Sequence, residues 1–359
     1  MKGIVWNGFV DVTDELEVRP PGANEVLVRI AYAGVCHSDH SVVSGTIPYP
    51  SPVVLGHEGA GVVEAIGPGV SRVAVGDHVV LHTLSSCGAC DQCDRGLSTH
   101  CRSSLGGFSQ PFTYKGQPAF AFAKAAVFSE YTVVGENQAV RIDDDVPLQV
   151  ASLLGCAVMT GTGAALKRAK VQPGSSALVV GVGGIGVSAI QGCRIGGATT
   201  IVAVDVNPGK EAMARRFGAT HFIGRDGSDC GDDVRQICPE GVDASFECVG
   251  RADLSRVCID ALGAGGSCVL VGTTPMDAEV SFLSRQLWLD KNVMGCRYGS
   301  AQPHHDIATY VRLYRSGALR LDEMVTNVYP MDDVGRAFED MEHGTVTRSV
   351  LAITGDGGS

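Results

Sequence analysis

The chain has 359 residues, of which 45% are hydrophobic, and a formal net charge of −11 at pH 7. Its length and apolar content predict two or three domains with a substantial core. Because no basic cluster accompanies the acidity, we expect neither nucleic acid nor an anionic membrane as a partner. No apolar run approaches the roughly 20 residues of a membrane helix, and the opening MKGIVWNGFV is too short and too mixed for a secretory signal. We therefore expect a soluble, cytoplasmic protein.

The first 80 residues are predicted to be rich in β-strand. Runs dominated by Val and Ile, such as EVLVRIAYAG at 25–34 and GAGVVEAIG at 59–67, are separated by Pro-Gly and Gly-Pro turns. The same region contains two short motifs, CHSD at 36–39 and GHE at 56–58, whose side chains could bind a metal or act on a substrate.

Four cysteines follow within fifteen residues: Cys87, Cys90, Cys93 and Cys101. A single C-x₂-C pair could be a redox pair or a chance occurrence, but in a reducing compartment this larger set indicates metal ligation. Zn²⁺ prefers four tetrahedral ligands, and this spacing lets neighbouring thiolates reach one ion from a tight turn. We predict a closed, structural zinc site that stabilises a loop and takes no part in the chemistry.

From residue 177 onward, strand and helix patterns alternate. The runs ALVVGVG, TTIVAVDV, DASFECVG and GSCVLVG are typical of buried strands, and GIGVSAIQGCRIGG, PGKEAMARRFG and LSRVCIDALG have helical periodicity. This alternation predicts an α/β region with βαβ units and a doubly wound parallel sheet. The chain then returns to a helix, HDIATYVRLYRSG, and a short strand, SVLAIT.

The first turn of the alternating region is GVGGIG, with glycines at Gly181, Gly183, Gly184 and Gly186. It lies directly after a strand and before a helix, the context in which such a sequence binds the pyrophosphate of a dinucleotide. Nineteen residues later the next strand ends in Asp205. A carboxylate there can accept hydrogen bonds from both hydroxyls of the adenosine ribose and would repel a 2′-phosphate. An acid that merely ends a strand is common, but this offset predicts NAD(H) rather than NADP(H).

Cys156, in the segment GCAVMTG, adds a third candidate ligand to the two motifs near the N-terminus. Taken singly, a cysteine is usually a small core residue and a histidine is often an ordinary loop residue. Together, Cys36, His57 and Cys156 supply two thiolates and one imidazole, the ligand set of a catalytic zinc site with an open fourth position. Spacing alone does not prove this site, because the three residues are far apart in the sequence.

The chain resembles the zinc-dependent medium-chain alcohol dehydrogenases. GVCHSDHSVVSG, LGHEGAGVVEAIG, the four-cysteine loop, GCAVMTGTGAA, GVGGIG and the strand ending in Asp205 have the family's order and spacing over essentially the whole chain. The resemblance implies a GroES-like β-rich catalytic domain, 1–157 completed by 301–359, with a Rossmann NAD-binding domain inserted at 158–300. It also implies an NAD-dependent enzyme that interconverts alcohols with aldehydes or ketones. A homodimer is expected, because FTYKGQPAFAFAKAAVFSEYTVV resembles the longer loop of the dimeric branch.

The resemblance also assigns roles around two zinc ions per chain. The implied ligands of the catalytic ion are Cys36, His57 and Cys156. The implied ligands of the structural ion are Cys87, Cys90, Cys93 and Cys101. Glu58 matches the acid beside the catalytic metal, Asp39 matches the residue that orients the zinc-bound histidine, and Ser38 matches the hydroxyl that takes the alcohol proton.

In this family a histidine five residues after the first zinc ligand passes the proton to solvent. Ser41 has that position here, with His40 beside it. The proton could therefore leave through His40, or through Ser38, the ribose hydroxyl and water. We expect the second route, because neighbouring residues rarely face the same site.

Further cofactor contacts are implied by the same resemblance. The matching positions are Lys210 for the adenosine ribose, His37 and Arg348 for the pyrophosphate, Thr160 and Ile185 for the nicotinamide ring, and the backbone of Val271, Cys296 and Tyr298 for its carboxamide.

Three other functions remain open at this point. A nicotinoprotein of the same family would retain its NAD(H) and pass electrons to an external acceptor, and no motif excludes it. A glutathione-linked formaldehyde dehydrogenase would act on a thiol adduct, but Leu105 and the uncharged segment GTIPYPSPVV stand where that branch has an arginine and acidic residues. A non-enzymatic binding protein would not need Cys36, His57, Glu58 and Cys156 together. The presence of all four residues therefore favours an enzyme.

Overall fold

The structure is a computed structural model that describes residues 1–344 and 346–355. The chain divides into two compact units, one formed by Met1–Ala157 with Gln302–Ser359 and the other by Val158–Ala301. The first unit is built from both ends of the chain, and the second is one continuous segment. Residues 345 and 356–359, which belong to the predicted 301–359 segment, lie outside the described residues.

The strands formed by the described residues are β1 (Gly3–Trp6), β2 (Val10–Thr13), β3 (Leu16–Val18), β4 (Glu25–Gly34), β5 (Val53–Val54), β6 (Glu58–Ile66), β7 (His78–Leu81), β8 (Ser109–Tyr114), β9 (Gln117–Ala121), β10 (Tyr131–Gly135), β11 (Ala139–Arg141), β12 (Ser176–Val180), β13 (Thr200–Asp205), β14 (His221–Gly224), β15 (Val242–Glu247), β16 (Leu262–Leu270), β17 (Asn292–Gly295), β18 (Val325–Pro330) and β19 (Arg348–Ala352). The α-helices are α1 (His37–Val43), α2 (Asp91–Asp94), α3 (Arg102–Leu105), α4 (Leu148–Ala151), α5 (Ala157–Gly163), α6 (Gly184–Ile195), α7 (Glu211–Phe217), α8 (Gly231–Ile237), α9 (Ala252–Asp260), α10 (Pro303–Arg315) and α11 (Val334–Glu342).

The first unit contains two β-sheets. One has the strand order β2-β1-β5-β9-β8-β3, and the other has the order β11-β7-β6-β4-β19-β18, with β10 paired to β4. In β4 the side chains of Val26, Val28 and Ile30 are fully buried, whereas the residues between them are partly exposed. This alternation is the period of a strand with one face on the core. It confirms the strand that EVLVRIAYAG predicted.

The second unit is a six-stranded parallel sheet with the order β14-β13-β12-β15-β16-β17. This is the strand order of a Rossmann fold, so the predicted α/β class and doubly wound sheet are confirmed. The apolar residues of β12 are buried without alternation, as expected for a central parallel strand that helices cover on both faces. Strands β14 and β17 and helix α8 were not predicted from the sequence.

Within the described residues, no single helix is both long enough and apolar enough to cross a membrane, and only the consecutive helical segments Leu148–Gly155 and Ala157–Ala169, taken together across a bend, meet that criterion.

Candidate metal centres and cofactor site

The four clustered cysteines lie around the short helix α2 of the first unit. Their sulfur atoms are all within 4.8 Å of one another. The separations are 3.6 Å for Cys90–Cys93, 3.9 Å for Cys90–Cys101 and 3.7 Å for Cys87–Cys101. A tetrahedral zinc ion with Zn–S bonds of about 2.3 Å requires sulfur atoms about 3.8 Å apart. The donor set therefore fits one zinc ion.

The backbone of this loop is shaped to bring the thiols together. Gly88 and Gly96 adopt φ angles of 73° and 74°, which side-chain-bearing residues rarely adopt. The Cys87 N–H donates to Cys101 Sγ at 3.3 Å. Burial raises the pKa of the Cys101 thiol, but backbone N–H groups of Cys87 and Ser104 outweigh burial and bring that pKa to about 6. The thiolate of Cys101 is thus favoured at neutral pH, as a metal ligand requires, whereas burial and contact with Cys90 raise the pKa of Cys93.

A second set of donors converges elsewhere in the first unit. Cys36 is the N-cap of α1, His57 directly precedes β6, Glu58 begins that strand, and Cys156 directly precedes α5. One ligand atom from each of these four residues lies within 4.8 Å of the others. Cys36, His57 and Glu58 are buried, and Cys156 is partly exposed. The structure therefore brings together three segments that are far apart in the sequence.

Asp39 links two of these segments. From the first turn of α1 its Oδ2 accepts the Cys36 N–H at 3.2 Å, so the acid caps its own helix. Its Oδ1 accepts the Gly56 N–H at 2.9 Å and lies 3.1 Å from His57 Nδ1. Because Nδ1–H donates to this carboxylate, the Nε2 atom of His57 is left free to bind a metal.

Glu58 forms a buried ion pair with Arg348 of β19 through its Oε2. Gly34, at the end of β4, leaves room for the pair, since a Cβ there would lie 2.7 Å from that same oxygen. The other oxygen, Oε1, is buried and has no hydrogen-bond partner among the described residues. Burial raises the pKa of Glu58 to about 7. A buried acceptor without a partner, beside two thiols and an imidazole, fits a bound cation.

The pKa values of the two thiols and of His57 are shifted by the close contacts within the set. Contact between the two thiols lowers the pKa of Cys36 and raises that of Cys156. Burial lowers the pKa of His57, but the charges of Asp39 and Cys36 outweigh it, and the pKa rises overall. A dication would favour two thiolates and a neutral imidazole. The residues present therefore fit a zinc ion.

The remaining predicted residues of this region are divided between the cluster and the surface. Ser38 lies next to the cluster, with its Oγ 3.9 Å from Cys36 Sγ. His37 is exposed. His40 Nε2 lies 3.1 Å from Glu342 Oε1, and its ring packs against Phe338. The described contacts of His40 are thus with α11 and not with the metal set.

An aromatic wall, which the sequence analysis missed, adjoins this cluster. The ring of Phe122 lies 5.3 Å from that of His57 in an edge-to-face arrangement. Tyr49 follows, 5.3 Å from Phe122, and Phe108 lies 5.0 Å from Tyr49. The Tyr49 hydroxyl donates to Ala121 O at 2.9 Å, so its polar atom is satisfied by the backbone. The signal in the sequence was the pair of phenylalanines in AFAFAK, of which Phe120 lies on β9 and Phe122 directly follows that strand.

The glycine turn of the second unit connects β12 to α6. Gly181 has a φ of +92°, and a Cβ on Gly186 would lie 1.8 Å from Gly181 O, so both positions require glycine. A Cβ on Gly183, in contrast, would meet no atom within 4 Å. These properties correspond to the tight turn, the close helix contact and the open approach of a dinucleotide-binding turn. Gly184 begins α6.

Asp205, at the end of β13, lies beside this turn. Its Oδ2 accepts the Val182 N–H at 2.8 Å and lies 3.1 Å from Lys210 Nζ, and its Oδ1 accepts the Asn207 N–H at 2.9 Å. The predicted pair of Asp205 and Lys210 is therefore together, and the carboxylate is fixed next to the backbone that a pyrophosphate would approach.

The other predicted nicotinamide positions lie in the same unit. Thr160 is on α5 and Ile185 is in the first turn of α6, and these helices are in close contact, since a Cβ on Gly161 would lie 2.2 Å from Ile185 O. Val271 and Cys296 follow the adjacent strands β16 and β17. Tyr298 begins three consecutive residues with positive φ. Left-handed backbone outside glycine is uncommon and concentrates at functional sites.

Two family models match this chain. The alcohol dehydrogenase GroES-like domain matches residues 22–144, and the zinc-binding dehydrogenase model matches residues 184–316. The S-(hydroxymethyl)glutathione dehydrogenase of Komagataella pastoris is 36% identical, over 98% of this chain and 96% of its own length.

Solved structures resemble the whole chain. Benzyl alcohol dehydrogenase from Acinetobacter calcoaceticus is 32% identical with a TM-score of 0.92, and the similarity covers 98% of this chain and 99% of that one. An alcohol dehydrogenase zinc-binding domain protein from Burkholderia ambifaria is 34% identical with a TM-score of 0.92, over 98% of both chains.

Proposed function

We propose a reaction and a set of working residues for this chain on the premise that it belongs to the zinc-dependent alcohol dehydrogenase family, within the medium-chain dehydrogenase/reductase superfamily. It is an oxidoreductase, and the reaction is hydride transfer between the carbinol carbon of an alcohol and NAD⁺. The observation that carries the proposal is the convergence of Cys36, His57 and Cys156 beside the unpartnered Glu58 Oε1.

Each chain would hold two zinc ions. The catalytic ion is bound by Cys36 Sγ, His57 Nε2 and Cys156 Sγ, and the structural ion is bound by the four clustered cysteines. When bound, the catalytic ion supplies Lewis acidity that favours loss of the hydroxyl proton of an alcohol. Asp39 keeps the His57 ring oriented, and Arg348 holds the Glu58 carboxylate beside the set.

Ser38 is the group that we propose takes the substrate proton, since its Oγ adjoins the Cys36 thiolate. His40 is engaged with Glu342 and Phe338. The proton therefore continues from Ser38 to the ribose hydroxyl and water, and His40 is not required.

NAD(H) is the proposed cofactor, and it supplies the hydride acceptor. Asp205 supports this choice because a carboxylate fixed beside the glycine turn repels a ribose 2′-phosphate. Lys210 can reach the same ribose. His37 and Arg348 in the first unit, and Thr160, Ile185, Val271, Cys296 and Tyr298 in the second, keep their proposed cofactor contacts.

The aromatic wall supports an apolar substrate. Phe122, Tyr49 and Phe108 extend from a proposed zinc ligand and offer ring faces and edges but few polar groups. We propose that the substrates are primary alcohols with an aromatic or other bulky apolar group. Benzyl alcohol, which gives the similar dehydrogenase its name, belongs to this class.

A second candidate substrate is S-(hydroxymethyl)glutathione, which the 36% identical relative favours. Glutathione carries two carboxylates, so a site for it needs cationic side chains. Leu105, exposed at the end of α3, offers none where the glutathione-linked branch has an arginine. We therefore rank this candidate second.

A homodimer in the cytoplasm is the proposed assembly and location. Strand β17 is an edge of the parallel sheet, with no outer partner among the described residues. Trp288 and Leu289, just before it, are 78% and 61% exposed. Exposed apolar residues beside an open strand edge favour association with a second copy, which sedimentation analysis would detect as twice the 37.3 kDa chain mass.

One experiment tests the reaction and the two-metal assignment together. The purified protein is assayed for zinc content, for NAD released on denaturation, and for NADH formation with benzyl alcohol, aliphatic alcohols and S-(hydroxymethyl)glutathione. Cys156→Ala should retain one zinc ion per chain and lose turnover, whereas Cys93→Ala should lose the other ion and chiefly lose stability. A wild-type protein that is fully active with one zinc ion per chain would refute the two-site proposal, and stoichiometric NAD released from the chain would indicate a nicotinoprotein.

A further inference from the structure

Glu247 is an acid with no exposed surface, at the carboxyl end of β15 in the second unit. Its Oε1 accepts the N–H groups of Val249 at 2.8 Å and Gly250 at 2.7 Å, with a longer contact of 3.4 Å to the N–H of Arg251. A single carboxylate oxygen therefore fixes the backbone of the loop that follows the strand.

The other oxygen of Glu247, Oε2, is buried without a hydrogen-bond partner among the described residues. A Cβ on Gly272 would lie 2.7 Å from this oxygen. Burial raises the pKa of the carboxyl group. A carboxylate that is buried and only half satisfied is costly for a fold to keep, which indicates that it serves something besides the core.

Glu247 also connects the loops at the carboxyl ends of neighbouring strands. Its carbonyl oxygen accepts the N–H groups of Val271 and Gly272, both at 2.9 Å, from the loop after β16. The loop that its side chain fixes touches the glycine turn, since a Cβ on Gly181 would lie 2.5 Å from Val249 Cγ2. The residue therefore lies between the turn proposed for the pyrophosphate and the backbone proposed for the carboxamide.

We propose that Glu247 is a positioning residue for the dinucleotide: its carboxylate holds the 248–251 loop so that the glycine turn and the 271–272 backbone keep the spacing that NAD(H) requires. The inference rests on the proposed function, because it assumes that the cofactor binds along this edge of the sheet. Glu247 does not touch the cofactor in this scheme. Its carboxylate acts through Val249 on the glycine turn and through Gly250 on Gly272, where a Cβ would lie 2.1 Å from the Gly250 nitrogen.

Ser245 provides a matched control. It precedes Glu247 by two residues on β15, is equally buried, and donates its hydroxyl to Cys258 O of α9 at 2.8 Å. Its bond is to a helix and not to either cofactor loop. Ser245→Ala therefore removes a buried hydrogen bond from the same strand and should lower stability without altering the cofactor edge.

The test uses the zinc-loaded enzyme and titrates NADH by fluorescence, together with zinc content and thermal melting. Glu247→Ala should raise the dissociation constant of NADH by about tenfold or more, because hydrogen bonds to a charged group are lost. Glu247→Gln, whose amide oxygen can still accept the same N–H groups, should stay within about threefold of wild type. The KM for NAD⁺ should rise in Glu247→Ala, with kcat at saturating NAD⁺ little changed.

Three results would overturn the inference: a Glu247→Ala protein that binds NADH as tightly as wild type, a Ser245→Ala protein that loses as much affinity as Glu247→Ala, or a Glu247→Gln protein as weak as Glu247→Ala. If Glu247→Ala does not fold, Glu247→Asp takes its place, since a shorter carboxylate withdraws from the N–H groups while keeping the charge. The inference is supported if Glu247→Asp loses affinity for NADH and Glu247→Gln keeps it. It is overturned if Glu247→Asp keeps this affinity and Glu247→Gln loses it. Failure of the wild-type enzyme to bind NADH at all would instead refute the proposed function.

Discussion

Replacing Asp39 by Asn removes one negative charge from the proposed catalytic metal centre and leaves the shape of the side chain unchanged. In the wild type, Oδ1 faces the Gly56 N–H and the Nδ1 atom of His57, and Oδ2 faces the Cys36 N–H. All these neighbours are donors. An amide NH₂ must therefore point at a donor in either orientation of the Asn side chain.

The size of the effect follows from this mismatch. A buried donor left without an acceptor costs about 1–3 kcal/mol, and loss of the partner of a metal-binding histidine lowers metal affinity about 10–100-fold. We expect Asp39→Asn to lose its catalytic zinc at chelator concentrations at which wild type keeps both ions. The four-cysteine ion should stay, so the zinc content should fall from two ions per chain to one.

The control is Asp306→Asn, in the same unit. Asp306 is also buried, accepts the Gln302 N–H at 2.7 Å, and lies 3.0 Å from His305 Nδ1. It thus has a similar partner set but belongs to the start of α10. Zinc content after chelator dialysis, melting temperature and alcohol turnover are measured for both variants. If Asp39→Asn keeps both zinc ions and wild-type turnover, or if Asp306→Asn loses zinc equally, Asp39 does not orient a metal ligand.

Three further predictions concern the cofactor, the proton and acid stability. Asp205→Gly should relax the preference for NAD⁺ over NADP⁺, mainly through KM, as a comparison of kcat/KM values for the two cofactors would show; equal wild-type values would contradict the role of this carboxylate. His40→Ala should leave the pH dependence of alcohol oxidation nearly unchanged, because His40 pairs with Glu342, whereas loss of the fall in rate on the acid side would place His40 in the proton path. Burial lowers the pKa of His82 to about 3 in the folded chain, whereas its pKa in the unfolded chain is about 6.5. Between about pH 6.5 and pH 3 the unfolded chain therefore binds one more proton than the folded chain. The free energy of unfolding falls by up to about 1.4 kcal/mol for each pH unit of acidification in this range. His82→Asn, which can still accept the Leu84 N–H that His82 Nδ1 accepts, should flatten the dependence in denaturant titrations at pH 7 and pH 5; an equally steep loss would contradict this assignment.

The parts of the molecule that the sequence predicted are those whose physics is local. The turn at Gly181 needs glycine for reasons contained within a few residues, and α6 follows directly from it. The short strand β14 and helix α8 were missed for the opposite reason. In α8 only Val234 is buried, and most of the other residues are polar or acidic. The segment therefore lacks the periodic spacing of apolar residues by which a helix is predicted.

The parts that could not be predicted depend on contacts between distant segments. Glu247 ends an apolar strand, where an acid normally meets solvent, and its burial comes from residues near 250 and 272. Arg348 was assigned to a cofactor contact through the family resemblance. Its ion pair with Glu58 spans 290 positions of the sequence, and neither residue's surroundings contain a pattern that indicates the other.

That long-range pair has a consequence for how the protein is made. Strand β19, which carries Arg348, pairs with β4 and is synthesised after the entire second unit. During synthesis the second unit is a continuous segment that can fold first, whereas the sheet around the proposed metal pocket must wait for a strand from the other end of the chain. Closing so long a loop is entropically slow. Until Arg348 is in place, Glu58 is an acid without its counter-charge, so the pocket cannot be completed before this strand has been synthesised.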